Sequence, residues 1–410
     1  MNKDKSQPDA GLRSLTHYQR RLPPWRHWMR QKTLPLVRWE TPYLAWLQER
    51  MRTPTLDTWF AISANLGTHT FYMIMLPILF WCGHSQFGRG TVHLLASGVF
   101  FSGFIKDLLC LPRPLSPPLQ RITMSGSAAL EYGFPSTHST NAVSVVVYAM
   151  HNLNSAASAF SPTSKAALQF LLFIYGTSIV LGRLYCGMHG FLDVVAGCLL
   201  GALLGFIQCS YGAAIDAYVL SGGIQGPLLV ALVVLVLVRI HPEPADSCPC
   251  FDDSVAFAGV MIGVELGGWH FGKTRFGLPD PIPGSICSTV ASALGTTKVI
   301  IPTPTSNPIR QQSQRSANRS PLRLDEYKNM MGTGSPTCEK NGINAFPGAA
   351  AHSLDYPYKS QNEEEMFSMI TKPRVRYDVE VVTKLIVYSG IAWLAVEVNP
   401  ILFHFLGLDR

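Results

Sequence analysis

Apolar residues along the chain gather into long runs, rather than into the three-to-four spacing of a half-buried helix or the alternation of a strand. Such runs fall near 58–82, 91–110, 139–154, 166–183, 190–210, 213–238 and 254–270, with a weaker one near 285–301 and a last one near 379–405. A helix needs about 20 predominantly apolar residues to cross the hydrocarbon layer of a bilayer. The runs 58–82 and 213–238 meet that length, whereas 139–154 and 285–301 fall short of it. The pattern predicts an all-α, multispan membrane helix bundle with seven to nine transmembrane helices. Two stretches break it. Residues 1–57 are basic and polar, and within them 34–47 sets Trp39, Tyr43 and Trp46 between charges, as in a segment that lies in the membrane interface. Residues 302–376 are dominated by Pro, Ser, Asn, Gln and charge, with no hydrophobic period, as expected of a disordered linker. The chain is therefore expected to divide into a basic N-terminal segment (1–57), a membrane core (58–301), a polar linker (302–376) and a C-terminal transmembrane helix (377–410).

Composition supports the membrane reading. The chain is 47% hydrophobic and only 14% charged, against roughly 25% charged in soluble proteins. Its net charge of +7 does not mark a nucleic-acid binder, because no run of Lys and Arg is dense enough to follow a phosphate backbone. Residues 1–57 hold eleven Lys and Arg, which favours a cytosolic N-terminus. They contain no early apolar core of a cleavable signal, so the first span is expected to serve as the targeting signal. Among nine cysteines only Cys248 and Cys250 look arranged. A single Cys-x-Cys pair lacks the second ligand pair of a zinc site, and no metal or other cofactor is expected.

Three polar clusters interrupt the apolar chain. Lys106 and Arg113, the latter between Pro112 and Pro114, follow the second run; Pro135, Ser136, Thr137 and His138 open the third; Arg183, His189 and Asp193 join the fourth to the fifth. Lys106, Arg113 and Arg183 are cations suited to a dianionic phosphate, Arg through its planar fork and Lys as a point charge. Ser136 and Thr137 stand where hydroxyls and helix N-terminal N–H groups can face an anion. His189 and Asp193 are four residues apart, which on a helix begun by 189 places both on one face. A carboxylate there holds one imidazole nitrogen as N–H and turns the other toward phosphorus. His138 is left to protonate the leaving alkoxide. Alternate crossings by the intervening runs bring all three clusters to one membrane face. Two ionisable residues inside runs, His69 and Glu265, are candidates for contact with a substrate amine or for a buried hydrogen bond between helices. Asp252 and Asp253 are expected to favour the start of the seventh span.

The pattern Lys-x6-Arg-Pro, Pro-Ser-x-His and Arg-x5-His-x3-Asp resembles the type-2 phosphatidic acid phosphatase superfamily, which includes lipid phosphate phosphatases, glucose-6-phosphatase and vanadium haloperoxidases. Thr137 stands where Gly is commonest in that pattern, and Gly182 where Ser is frequent. The resemblance implies a metal-independent phosphatase in which Lys106, Arg113, Ser136 and Arg183 bind phosphate, His189 becomes the phosphohistidine, His138 is the acid and Asp193 pairs with His189. Longer stretches, 63–70, 248–257 and 376–384, are similar to fungal sphingosine-1-phosphate (long-chain-base phosphate) phosphatases of the endoplasmic reticulum. That similarity implies a lumenal site and sphingoid base 1-phosphates as substrates. The residues themselves require only a phosphate monoester reaching the site from the bilayer. Phosphatidic acid, a polyprenyl diphosphate, or a silent lipid-binding role remain the alternatives.

Overall fold

The computed structural model describes residues 9–123, 130–155, 160–277 and 378–407. The expected weak span 285–301 and linker 302–376 lie outside the described residues. Within them the regular structure is helical. Short helices α1 (Leu15–Arg21), α2 (Pro24–Trp39), α3 (Thr41–Met51), α4 (Pro54–Asn65) and α5 (His69–Trp81) lead into α6 (Ser85–Leu109). Then come α7 (Thr137–Asn154), α8 (Pro162–Tyr185), α9 (Phe191–Ser221), α10 (Gln225–Ile240) and α11 (Cys250–Lys273). The C-terminal helix runs as α12 (Val379–Trp393), a π turn at Leu394–Val398, and α13 (Asn399–Phe405). Starts follow capping rules: Thr53 and Ser161 accept the N–H groups of Leu56 and Ser164, and Pro54 and Pro162 take the first helical positions.

Five helical segments among the described residues are long and apolar enough to cross a membrane: Ser85–Leu109, Pro162–Tyr185, Phe191–Ser221, Cys250–Lys273 and Val379–Phe405. Three expected runs are redrawn. The run 58–82 is broken into α4 and α5 by a turn at Leu66-Gly67-Thr68, where Thr68 donates its hydroxyl to the Asn65 carbonyl and caps α5. Non-helical backbone at membrane depth is tolerated where it lines a cavity, and Gly67 lines the cavity that holds His138. The runs 190–210 and 213–238 are not two spans divided near 211. One helix of 31 residues continues to Ser221, and the break comes at Gly222-Gly223, leaving α10 with 16 residues. Tyr211 and Gly212 carry no proline or cap that would stop a helix there.

Lipid gives no hydrophobic drive for one helix to seek another, so membrane helices associate through close backbone approach at small residues. Two stripes of glycine at four-residue spacing do this. On α9, Gly197, Gly201 and Gly205 face α7: a Cβ at Gly197 would lie 2.6 Å from the Ser136 carbonyl oxygen, and one at Gly201 2.3 Å from that of Thr140. On α11, Gly259, Gly263 and Gly267 face α12, with a Cβ at Gly263 falling 2.2 Å from the Ser389 carbonyl oxygen. The Ser389 hydroxyl donates across this seam to the Gly259 carbonyl at 2.8 Å. Helices α6 to α9 thus form a packed group, and α11 joins α6 to α10 and α12.

The N-terminal helices close over one end of α6. Arg26 donates to the carbonyl oxygens of Leu108 and Glu243, each at 3.0 Å. The Tyr18 hydroxyl donates to Asp246 at 2.7 Å, and the Arg30 guanidinium lies over the Tyr18 ring. Helices α2 and α3 leave Trp39, Tyr43 and Trp46 exposed.

Gly201→Val should force α7 and α9 apart. Overpacking of this kind costs about 1–3 kcal/mol. Thermal unfolding of the purified protein in detergent should show a clear loss of stability, whereas Gly272→Ala, at a position with open space around it, should show little.

Candidate active site

The three polar clusters converge at one end of the α6–α9 group. Lys106 sits in the last turn of α6 and is buried. Arg113, also buried, follows in the next loop and donates to the Met188 carbonyl at 2.9 Å. Arg183 lies in the last turn of α8 and is 5% exposed. From there the chain turns back sharply. Gly187 takes a positive φ of 63°, conformational freedom that a side chain would oppose. The N–H groups of Met188 and His189 then return to the Arg183 carbonyl at 3.1 and 3.3 Å. His189 is thereby presented before α9 begins.

The helix does not include His189, contrary to the expectation of a shared helical face. Gly190 is the N-cap of α9, and Asp193 folds back so that its Oδ2 accepts the Gly190 N–H at 2.9 Å. This cap places the same oxygen 3.5 Å from His189 Nδ1. The other ring nitrogen, Nε2, is 3.0 Å from an Arg113 guanidinium nitrogen. A guanidinium only donates, so Nε2 must carry its lone pair and the ring proton belongs on Nδ1, facing Asp193. Burial holds the His189 imidazole well below its ordinary pKa, and the positive charges of Arg113, Lys106 and Arg183 lower it further. Both effects favour the uncharged ring, whose lone pair is aimed among cations.

Ser136 caps α7, accepting the Ser139 N–H at 3.3 Å, and its own N–H donates to the Asp193 carbonyl at 3.0 Å. That last bond ties the start of α7 to the start of α9. The Ser136 hydroxyl therefore serves the cap, and its N–H is engaged. Thr137 pairs its hydroxyl with Ser102 of α6 at 2.8 Å. His138 lines a small cavity with Lys106, Thr137 and Gly67, and a Cβ at Gly67 would meet its ring at 3.2 Å.

Comparison with known proteins accords with this geometry. Residues 90–213, which hold all three clusters, match the PAP2 superfamily model. A dihydrosphingosine 1-phosphate phosphatase of Schizosaccharomyces pombe is 35% identical over 381 residues, covering 92% of this chain and 90% of its own. The chain belongs to the PAP2 superfamily. A dihydrosphingosine 1-phosphate phosphatase of Saccharomyces cerevisiae is 34% identical over 284 residues, 69% of this chain and 68% of its own. Human sphingosine-1-phosphate phosphatase 2 is 29% identical over 219 residues, 52% of each chain. No solved structure matches the chain.

Glu265 stands apart from the PAP2 cluster. It pairs with Arg89 and His93, while Arg89 also reaches Asp216 at 2.9 Å. Twelve residues along α11 place it about 18 Å from Asp253, at 1.5 Å rise per residue. The structure thus gives Glu265 the buried helix-to-helix alternative, not contact with the phosphate cluster. The side chain of His69 lies outside the described residues. Asp252 and Asp253 occupy the first turn of α11 as expected, and Cys248 and Cys250 are bonded to each other.

Two acidic residues near the PAP2 centre escaped the sequence reading. Glu40, between α2 and α3, accepts the Leu192 N–H at 3.0 Å and so docks on the first turn of α9. Burial raises its carboxyl above the usual range. Glu131 pairs with Lys106 at 3.3 Å and with Arg113 at 3.0 Å. Neither belongs to a spaced motif. Only an acid lying between the first two clusters could have drawn attention to Glu131.

Removing one of the cations around His189 should make its ring easier to protonate. In Arg113→Met the midpoint of His189 protonation should rise toward the ordinary histidine value near 6.5. Ring chemical shifts of histidine-labelled protein, followed through pH with His189→Gln as the assignment control, measure this directly.

Proposed function

We propose that the chain hydrolyses long-chain sphingoid base 1-phosphates, releasing the free base and phosphate through a phosphohistidine at His189. The carrying observation is the placement of the buried His189 ring, with Nε2 3.0 Å from an Arg113 nitrogen and Nδ1 3.5 Å from Asp193 Oδ2. Lys106, Arg113 and Arg183 receive the phosphate dianion, with the α7 start at Ser136 and Thr137 beside it. Nε2 attacks phosphorus: an N–P bond forms as the ester O–P bond breaks, and His138 gives its proton to the leaving alkoxide. Water then loses a proton to His138 and attacks phosphorus, breaking the N–P bond. Asp193 holds the ring in the tautomer that attacks and stabilises the positive charge on the phosphorylated imidazole. Cations and helix N-terminal dipoles supply the charge stabilisation, so the reading includes no metal.

The substrate class rests on similarity to relatives named dihydrosphingosine and sphingosine-1-phosphate phosphatases, at 34–35% identity for the two fungal ones. The resemblance of 63–70, 248–257 and 376–384 to fungal long-chain-base phosphate phosphatases extends the reading to the endoplasmic reticulum membrane, with the site on the lumenal face. The division into a basic N-terminal segment, a membrane core, a polar linker over 302–376 and a final transmembrane helix completes the reading.

Two experiments test it. Purified enzyme given radiolabelled dihydrosphingosine 1-phosphate in EDTA, then denatured under alkaline conditions that preserve phosphohistidine, should retain label in the wild type and none in His189→Ala. Label that survives the substitution removes His189 from its role. Asp193→Asn should lower kcat on the order of 10³–10⁴-fold, by analogy with the orienting carboxylate of serine hydrolases, with little change in vanadate inhibition. Lys106→Ala should instead weaken vanadate inhibition strongly. Loss of vanadate affinity in Asp193→Asn equal to that in Lys106→Ala, with turnover retained, refutes this division of roles.

A further inference from the structure

The cavity beside His138 and Lys106 has a volume of about 60 Å³, and two of the side chains lining it are carboxylates, Glu131 and Asp253. They arrive from separate parts of the chain, the loop before α7 and the first turn of α11. Glu131 lies directly on the phosphate cations: a single oxygen, Oε2, takes both Lys106 Nζ and an Arg113 guanidinium nitrogen. The Glu131 carbonyl also accepts from Arg113 Nε at 3.2 Å, which fixes this residue to the cradle through its backbone as well. Carboxylates in these places work against a ligand that is only an anion. A phosphate that takes Lys106 and Arg113 competes for two cations that Glu131 Oε2 holds and sets negative charge against negative charge. Like charges held together at a desolvated site discriminate strongly against a ligand.

The conflict disappears for a phosphomonoester with a cationic amine close to the ester. In a sphingoid base 1-phosphate, two carbons separate the ammonium from the ester oxygen, so it travels with the phosphate into the same small cavity. We propose that Glu131, with Asp253 on the cavity wall, receives the substrate ammonium and makes the enzyme select phosphomonoesters carrying a neighbouring amine. Glu131 then exchanges two cationic partners for one supplied by the substrate, and charge stays compensated. A phosphatidic acid brings no such group. This inference rests on the proposed phosphate site at Lys106, Arg113 and Arg183 and adds the element that chooses among lipid phosphates.

The test compares kcat/KM for dihydrosphingosine 1-phosphate and for its N-acetyl derivative, which keeps the chain and phosphate but loses the charge on nitrogen. The full-length protein is used in mixed micelles. The wild type should favour the free amine on the order of 10²-fold, the scale of losing one partner of a desolvated charge pair. Glu131→Gln should shrink that ratio about tenfold or more, through loss on the amine substrate and gain on the acetylated one. Asp253→Asn should shrink it less, and Glu131→Asp should preserve it. Vanadate inhibition reports whether the phosphate cradle is intact in each variant. If Glu131→Gln loses it, the Asp253→Asn and Glu131→Asp ratios decide. Equal losses on both lipids, or a wild type indifferent to acetylation, overturn the inference and leave the hydrolase reading standing. A wild type that turns over phosphatidic acid but neither sphingoid lipid overturns that reading instead.

Discussion

The bare contact of α7 on α9 is the constraint on which the site depends. Gly197 and Gly201 let the two backbones approach until a methyl group would collide with the carbonyl oxygens of Ser136 and Thr140. At the same end, the Ser136 N–H reaches the Asp193 carbonyl. One close seam therefore fixes the first turn of α7, which carries His138, relative to the loop that presents His189. In a bilayer this precision has to come from packing and hydrogen bonds, because surrounding lipid does not drive helices together. Arg113, donating to the Met188 carbonyl, ties the first cluster to the third.

Electrostatics follow from that geometry. Burial and three cations make a protonated His189 unfavourable, and the donor-only guanidinium of Arg113 selects the ring nitrogen that stays bare. Asp193 does two jobs with one oxygen, capping α9 at the Gly190 N–H and standing within ion-pair reach of Nδ1. Glu40, brought in from the N-terminal helices, takes another N–H of that first turn, at Leu192. A histidine placed just before a helix start, with the carboxylate beside it used as the cap, is held by the backbone rather than by side-chain packing alone.

Charge elsewhere in the bundle is compensated by pairing. Arg89, His93, Asp216 and Glu265 join α6, α9 and α11 in one buried ion-pair group. It lies seventeen residues along α6 from Lys106, about 25 Å at the rise of an α-helix. Such groups are costly at membrane depth unless they satisfy one another, and here they link three helices. Between the two ends the helices carry apolar surface outward, as at Leu199, Leu203 and Phe206 of α9.

Much of this was legible in the residue string. Long apolar runs imply membrane helices because a bilayer leaves the backbone no partner but itself. The cations, two histidines and a carboxylate stood out because each is expensive beside lipid. The run 58–82 and the division near 211 were misread because hydropathy records burial, whereas helix breaks depend on local turns such as Leu66-Gly67-Thr68 and Gly222-Gly223. The glycine stripes at 197, 201 and 205 and at 259, 263 and 267 were visible as spacing, but which helix each faces is a property of the packed bundle. The same holds for the single charges. Glu265 was open between a substrate amine and a buried helix-to-helix bond until the fold placed it beside Arg89 and His93. Glu131 and Glu40 looked ordinary until tertiary structure set one on the phosphate cations and the other on the start of α9. The sequence by itself determined the membrane class and the residue types gathered in the three clusters, since composition and spacing carry both. Only the tertiary structure decided which helix ends meet and which carboxylates enter the site, because those depend on contacts between residues far apart along the chain.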